Sequence, residues 1–155
     1  MRNSAHDRHR GERGSTLIEL AIVVAVILII ATIAVARLSR AKGSSEGGAA
    51  VGTLRAIAAA QTTARYTYGS HLPAPDLADL GLLDSTFRVM PVERSGYKVT
   101  ESGDGDSIAY HADPVGLEHG ARRFFMRAAD GRIHWTDSGD PADENSPPLG
   151  TDAIE

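Results

Sequence analysis

An α+β protein, with one long hydrophobic N-terminal helix packed against a small antiparallel β-sheet, is the fold that the sequence predicts. Three observations predict it. An apolar run near the N-terminus is longer than a core helix needs, and a second stretch with helical spacing follows it. The C-terminal half then alternates in polarity between turn signals. At 155 residues there is room for one modest domain plus an anchor.

Charge is unevenly spread along the chain. The formal total is −4, yet residues 1–42 carry seven basic groups against three acidic ones, or +4, and residues 43–155 carry nine against seventeen, or −8. A basic front end and an acidic remainder suit a membrane-anchored protein and argue against a nucleic-acid partner, which would want a basic folded domain. The absence of cysteine excludes a disulfide framework and a thiolate zinc site.

The apolar run is Leu17–Val35, LIELAIVVAVILIIATIAV, with Glu19 its only charge. Extended to Ser15–Ala36 it makes a helix of about 33 Å, enough for a hydrocarbon core of about 30 Å. It is apolar all round, which means lipid or the centre of an assembly. Arg37, Arg40 and Lys42 stop it. On hydropathy alone a simple signal-anchored protein remains open. So does a cleaved secretory signal, because Ala34-Val35-Ala36 fits the A-x-A pattern, although the run exceeds the usual length of about 7–15 residues. Four basic residues precede the span and three follow it, and the reading favoured is a cytoplasmic N-terminus with an outer C-terminal domain.

Glu19 lies only a few residues into the run. A charge costs about 2.5–3.5 kcal/mol at a helix centre and less near an end, so such a residue either reaches water or finds a partner when helices bundle. Just upstream stands R-G-S-T-L-I-E-L, Arg13–Leu20. This junction closely resembles the leader of the type IV pilin and type II secretion pseudopilin family. There a basic peptide ends in glycine and the mature chain opens on an apolar helix with glutamate at its fifth position. Counting from Ser15, that residue is Glu19. The resemblance implies cleavage between Gly14 and Ser15 by a membrane prepilin peptidase and N-methylation of Ser15. It also implies pairing of Glu19 with the terminal amine of a neighbouring subunit. Glycine suits the cut because a residue without a side chain lets the backbone enter a narrow cleft. Where the family opens its mature chain with phenylalanine or another large apolar residue, this chain has Ser15.

After Lys42, GSSEGGAAVG holds Gly43, Gly47, Gly48 and Gly52, each lowering helix stability by up to about 1 kcal/mol. From about Ala49 to Tyr68 helical spacing returns, with Val51, Leu54, Ile57 and Ala58 on one side. This helix either continues the span or is hinged from it, and a flexible linker is the rival reading. Pro73 and Pro75 end it, and Pro75–Leu83 reads as a short helix with Asp76 as its cap and Gly81 left-handed after its end. Gly96–Glu101, Ser107–Ala112, Arg123–Arg127 and Arg132–Thr136 read as three or four strands of an antiparallel meander, with Asp130-Gly131 as a hairpin turn. Tyr97, Val99, Ile108, Tyr110, Phe124 or Phe125, Ile133 and Trp135 are the expected inward residues. The acidic tail Asp137–Glu155, rich in Asp, Pro, Gly and Ser, is expected to be disordered.

This order of elements is itself similar to type IV pilin and pseudopilin subunits, which gives the expected fold its pilin-like label. Many pilins staple the C-terminal region with a disulfide, which this chain lacks, and some pseudopilins hold calcium there. Asp104, Asp106 and Asp113 are the candidate calcium ligands, but S-G-D-G-D lacks EF-hand spacing and its terminal glutamate, which favours a solvated turn. No other cofactor is expected.

No enzyme is expected either. His6, His9, His71, His111, His119 and His134 include no HExxH pair, and no Walker loop or G-x-G-x-x-G occurs. His111 near Asp113 and His119 near Glu118 read as surface histidines. Gly43-Ser44-Ser45-Glu46-Gly47 matches G-x-S-x-G but follows a helix rather than a strand. Arg122-Arg123 reads as a solvated face. The organisation expected is therefore a leader over residues 1–14, a transmembrane and assembly helix over 15–42, a helix continuation with an αβ outer domain over 43–136, and the tail over 137–155. The function expected is that of a structural subunit of a type IV pilus-like filament. The alternatives are a secretion pseudopilin and a monomeric signal-anchored binding protein. Its partners would be further copies of itself, prepilin peptidase, an assembly platform and the membrane. Its place would be the bacterial inner membrane and then a periplasmic or cell-surface filament.

Overall fold

The computed structural model describes residues 12–116 and 121–150, the side chains of residues 12–15 and 36 excepted. Residues 1–11, the Glu118–His119 pair and residues 151–155 lie outside the described residues. The fold is α+β: a long N-terminal apolar helix and a five-stranded antiparallel sheet. Two compact units divide between Lys42 and Gly43.

Helix α1 runs Glu12–Tyr68, and its stretch in the first unit is apolar on every side, with the large residues from Leu17 to Val35 exposed. Thr32 Oγ1 donates to Ile29 O at 2.7 Å, so the hydroxyl inside the span is satisfied by its own helix. The helical assignment passes through Gly43, Gly47, Gly48 and Gly52 without interruption, so these glycines mark neither a linker nor a break. Four scattered glycines cost a few kcal/mol of propensity, which the packing of the helix in the second unit offsets.

In that unit α1 is amphipathic. Ala50, Leu54, Ile57, Gln61 and Ala64 recur every three or four residues and are buried, whereas Arg55, Ala59, Thr62 and Tyr66 are exposed. The helix stops at Gly69, whose φ of 80° places it in the left-handed region and whose amide donates to Arg65 O at 3.1 Å. Helix α2 follows at Ala74–Asp79. Asp76 does not cap it: Glu101 Oε2, from the sheet, accepts the Ala74 amide at 2.7 Å. Gly81 is left-handed as expected, with φ of 72°.

The sheet is a meander in the order β1 (Val92–Arg94), β2 (Tyr97–Ser102), β3 (Ala109–Pro114), β4 (Arg123–Arg127) and β5 (Ile133–Thr136), each strand antiparallel to its neighbours. The sequence reading lacked β1. Its turn is Ser95-Gly96, both at positive φ (50° and 79°), the geometry that matches the twist of a two-residue hairpin. Alternation sorts the sheet into two faces. Tyr97, Val99, Tyr110, Ala112, Phe124, Met126 and Ile133 join Leu54 and Ile57 in one core. Phe124 and Phe125 are both buried, on opposite faces, because Phe125 forms a second small cluster with Ala109 and Ala142.

That second cluster overturns the reading of the tail as disordered over residues 137–150, residues 151–155 lying outside the described residues. Residues 137–150 fold back as a strap over the outer face of the sheet, and Ala142 is 2% exposed beneath it. Glu144 pairs with Arg127 at 2.8 Å, and Leu149 packs on the main core. Its polar residues make local turns rather than a solvated coil: the amides of Asn145 and Ser146 both donate to Asp143 Oδ1, at 3.0 and 2.9 Å.

Candidate functional site

The residues that carry the chemical reading stand at the start of α1. The backbone is helical from Glu12, so Gly14 and Ser15 lie within the helical assignment rather than in a loop. Glu19 follows Ser15 by four residues, about one turn, which puts the two on the same side of the helix about 6 Å apart along its axis. Glu19 is exposed, and so are Thr16, Leu17, Ile18 and Leu20 around it. The carboxylate therefore stands alone in charge on an uncovered apolar surface, with its nearest same-face position one turn towards Ser15.

Beyond it the surface is continuous hydrocarbon. The described part of α1 contains one segment long and apolar enough to cross a membrane, and none of that segment is buried. Burial of one Val, Leu or Ile side chain is worth about 1.5–3 kcal/mol, so the thirteen of them exposed from Leu17 to Val35 would outweigh the stability of an ordinary domain if they faced water. The segment needs lipid or other helices. Arg37, Arg40 and Lys42, all exposed, close it with positive charge suited to an interface.

The remaining sequence candidates are absorbed by structure. Asp104 and Ser107 cap a short 3₁₀ turn, Asp106 lies 3.4 Å from Arg65, and Asp113 lies on β3 at 3.5 Å from Arg123. The three proposed calcium ligands thus have separate partners, and among the described residues no group of three or more His, Asp or Glu is placed to hold a metal ion. His111 lies 5.1 Å from Phe125, ring to ring, on the outer face. The Gly43–Gly47 motif is helical, so Ser45 occupies no nucleophile elbow. Arg122 is not a plain solvated residue: its guanidinium sits 4.6 Å above the Trp135 ring.

Sequence reasoning missed Gln61. It is fully buried, and its amide Nε2 donates to Leu72 O at 2.6 Å and Tyr110 Oη at 2.8 Å. The signal was available, since Gln61 is four residues after Ile57 and seven after Leu54, the one polar residue on the buried face. Burial, the adjacent Glu101 carboxylate and its hydrogen bond push the Tyr110 phenol far above its usual 10.0. This network joins helix, loop and sheet and serves the fold.

Comparison with known families decides what the exposed helix belongs to. The prokaryotic N-terminal methylation motif matches residues 9–35, spanning Gly14, Ser15, Glu19 and the apolar run up to Val35. The chain carries the signature of type IV pilins and pseudopilins. That signature supports a prepilin-type reading of the chain, of the kind found in structural pilin-type proteins. The pilin-like arrangement of one long apolar helix and an antiparallel sheet agrees with that motif. Neither a curated protein nor a solved structure matches the chain significantly. The fit to membrane anchoring therefore rests on the motif and on the long apolar helix in which most of it lies.

Proposed function

We propose that the protein is a structural subunit of a type IV pilus-like filament, made as a prepilin in the bacterial inner membrane and cut between Gly14 and Ser15. The observation that carries this reading is the methylation motif over residues 9–35, coinciding with a helix that has no protein cover of its own. The cut removes Arg2, Arg8, Arg10 and Arg13 and creates a new amine at Ser15, the position that would be N-methylated.

The chemistry of the new terminus favours Glu19 as its counter-charge. A helix N-terminus carries about half a positive charge, and a free amine adds a full one. Thr16 and Glu19 also have the T-x-x-E spacing of a capping box, an N-terminal start signal for the shortened helix. In a bundle of such helices the carboxylate of one copy and the amine of the next neutralise each other. Because a buried charge without its partner costs about 3–5 kcal/mol, that pairing selects one axial register among otherwise featureless apolar surfaces. Prepilin peptidase and an assembly platform are the partners this route requires.

Intact mass and N-terminal analysis of the native protein test the route. A chain starting at Ser15 supports it, whereas a Met1 start means simple anchoring and a start at Arg37 an ordinary signal peptide. Gly14→Glu should insert but remain uncut, and a shortened chain from that variant would sink the cleavage claim. Glu19→Ala should be cut and yet fail to polymerise; normal filaments would remove Glu19 from the mechanism.

A further inference from the structure

The two edges of the sheet are protected in different ways. Strand β1 protects itself: it has three residues, follows Pro91 directly and exposes Glu93 and Arg94. Short length, charge and proline are the ordinary defences of an edge. Strand β5, at four residues, has neither the charge nor the proline. It reads I-H-W-T, a run of β-branched and aromatic residues without Asp, Glu, Lys, Arg or Pro.

What guards β5 is the strap. Trp135 donates its amide to Pro147 O at 3.0 Å, Leu149 donates to Ile133 O at 2.7 Å, and His134 pairs with Pro148 as an isolated antiparallel bridge. Ser146 O adds a 2.7 Å contact to His134 Nδ1. The strap thus takes up the Trp135 amide and the Ile133 carbonyl on the outward edge of β5. Pro147 and Pro148 have no amide hydrogen, so this segment passes on no matching row of donors to a further strand. Residues 137–141, including Gly139 at φ 91° and Pro141, are exposed and connect strand to strap.

We propose that residues 141–149 are a built-in guard over β5, and that opening the guard turns β5 into a strand acceptor for a second copy of this chain. The second copy is the occupant because its own β5 is complementary. A symmetric antiparallel pairing centred on His134 sets Ile133 of each copy opposite Trp135 of the other, on the same face of the sheet. The same symmetry brings the two His134 positions together as a non-hydrogen-bonded pair, about 4.5 Å apart at Cα, which is within disulfide reach. This inference does not depend on the filament reading, since it concerns the outer unit alone.

The test uses the full chain in detergent micelles, where the native sequence offers no thiol of its own. Leu149→Asp and Ala142→Glu each put a charge where the strap is buried and should open it, as read by faster exchange of the Trp135 amide. In either background His134→Cys should form an interchain disulfide at least roughly tenfold faster than in the strapped protein. That is the factor by which loss of one good hydrogen bond shifts an opening equilibrium. The pair His134→Cys and Pro148→Cys, oxidised within one chain, should return the Leu149→Asp variant to the monomer, and reduction should release it again. A strap that opens while the chain stays monomeric overturns the proposal. So does loss of the near-ultraviolet Trp135 signal in both variants, which would make the strap part of the folding core rather than a guard.

Discussion

Gln61 donates a 2.8 Å hydrogen bond to the Tyr110 hydroxyl, joining the buried face of α1 to the start of β3. The same side chain holds both backbone groups of Leu72, donating to its carbonyl at 2.6 Å and accepting from its amide at 3.2 Å. Replacing it by leucine keeps the volume and removes every partner at once. Each buried group left unpaired costs about 1–3 kcal/mol, so Gln61→Leu should be among the most destabilising single changes in the second unit. Urea denaturation followed by Trp135 fluorescence should show a lower midpoint for Gln61→Leu than for Thr62→Leu, its exposed neighbour.

Tyr110 makes the fold sensitive to alkali. Burial, then the Glu101 carboxylate beside it, raises the folded phenol well above the 10.0 of the unfolded chain. A raised value means that the stabilisation is whole below pH 10 and drains away as pH climbs from there towards the folded value. Stability measured above pH 10 should therefore fall more steeply in the native protein than in Tyr110→Phe. The variant itself should lose about 0.5–1.5 kcal/mol at neutral pH, the net worth of the hydroxyl's bonds.

At the acid end the strap is a place that responds. Asp143 is held below the usual 3.8 chiefly by the Ser146 hydroxyl, with Asn145 and the backbone assisting. A lowered carboxylate gives stability that is complete above that value and is lost as pH falls through the folded one. Amide exchange at Asn145 and Ser146 should accelerate below about pH 4 while the amides of β2 and β3 stay protected. Asp143→Asn should flatten that dependence, and an unchanged profile would assign the opening to another group.

The β1–β2 turn depends on Gly96. It lies at φ 79°, and a Cβ there would meet the carboxyl carbon of Glu46 at 2.7 Å. Gly96→Ala should cost about 1–3 kcal/mol from backbone strain, plus whatever displacing Glu46 adds. Adding Glu46→Ala should recover only the second part. Full recovery in the double variant would show that the backbone is unstrained by alanine.

What the residues disclosed in advance follows the range of the forces involved. The span, the helical stretch after it and strands β2 to β5 announce themselves by local periodicity; the four strands start within two residues of the expected positions, whereas the two helical stretches are one helix that begins at Glu12. The junction of Gly14, Ser15 and Glu19 is a linear motif and equally open to reading. Asp76 was misjudged because capping was sought next door in sequence, while the acceptor, Glu101, comes from β2. Strand β1 is three residues long and mostly charged, too short for alternation to show. The strap looked disordered for its Asp, Pro and Ser content, yet Ala142 and Leu149 suffice to seat it on Phe125 and the main core.

That seating changes the mutational arithmetic of the gene. Chain ends usually tolerate loss, because few contacts reach them. Here a stop codon after Thr136 would delete only 19 of 155 residues, all from a stretch of low-complexity appearance. It would nonetheless strip Phe125 of Ala142 and remove Leu149 from its place beside Ile133. Truncation there should therefore uncover Phe125 and the edge of β5, which loss of an unstructured tail of the same composition would not do.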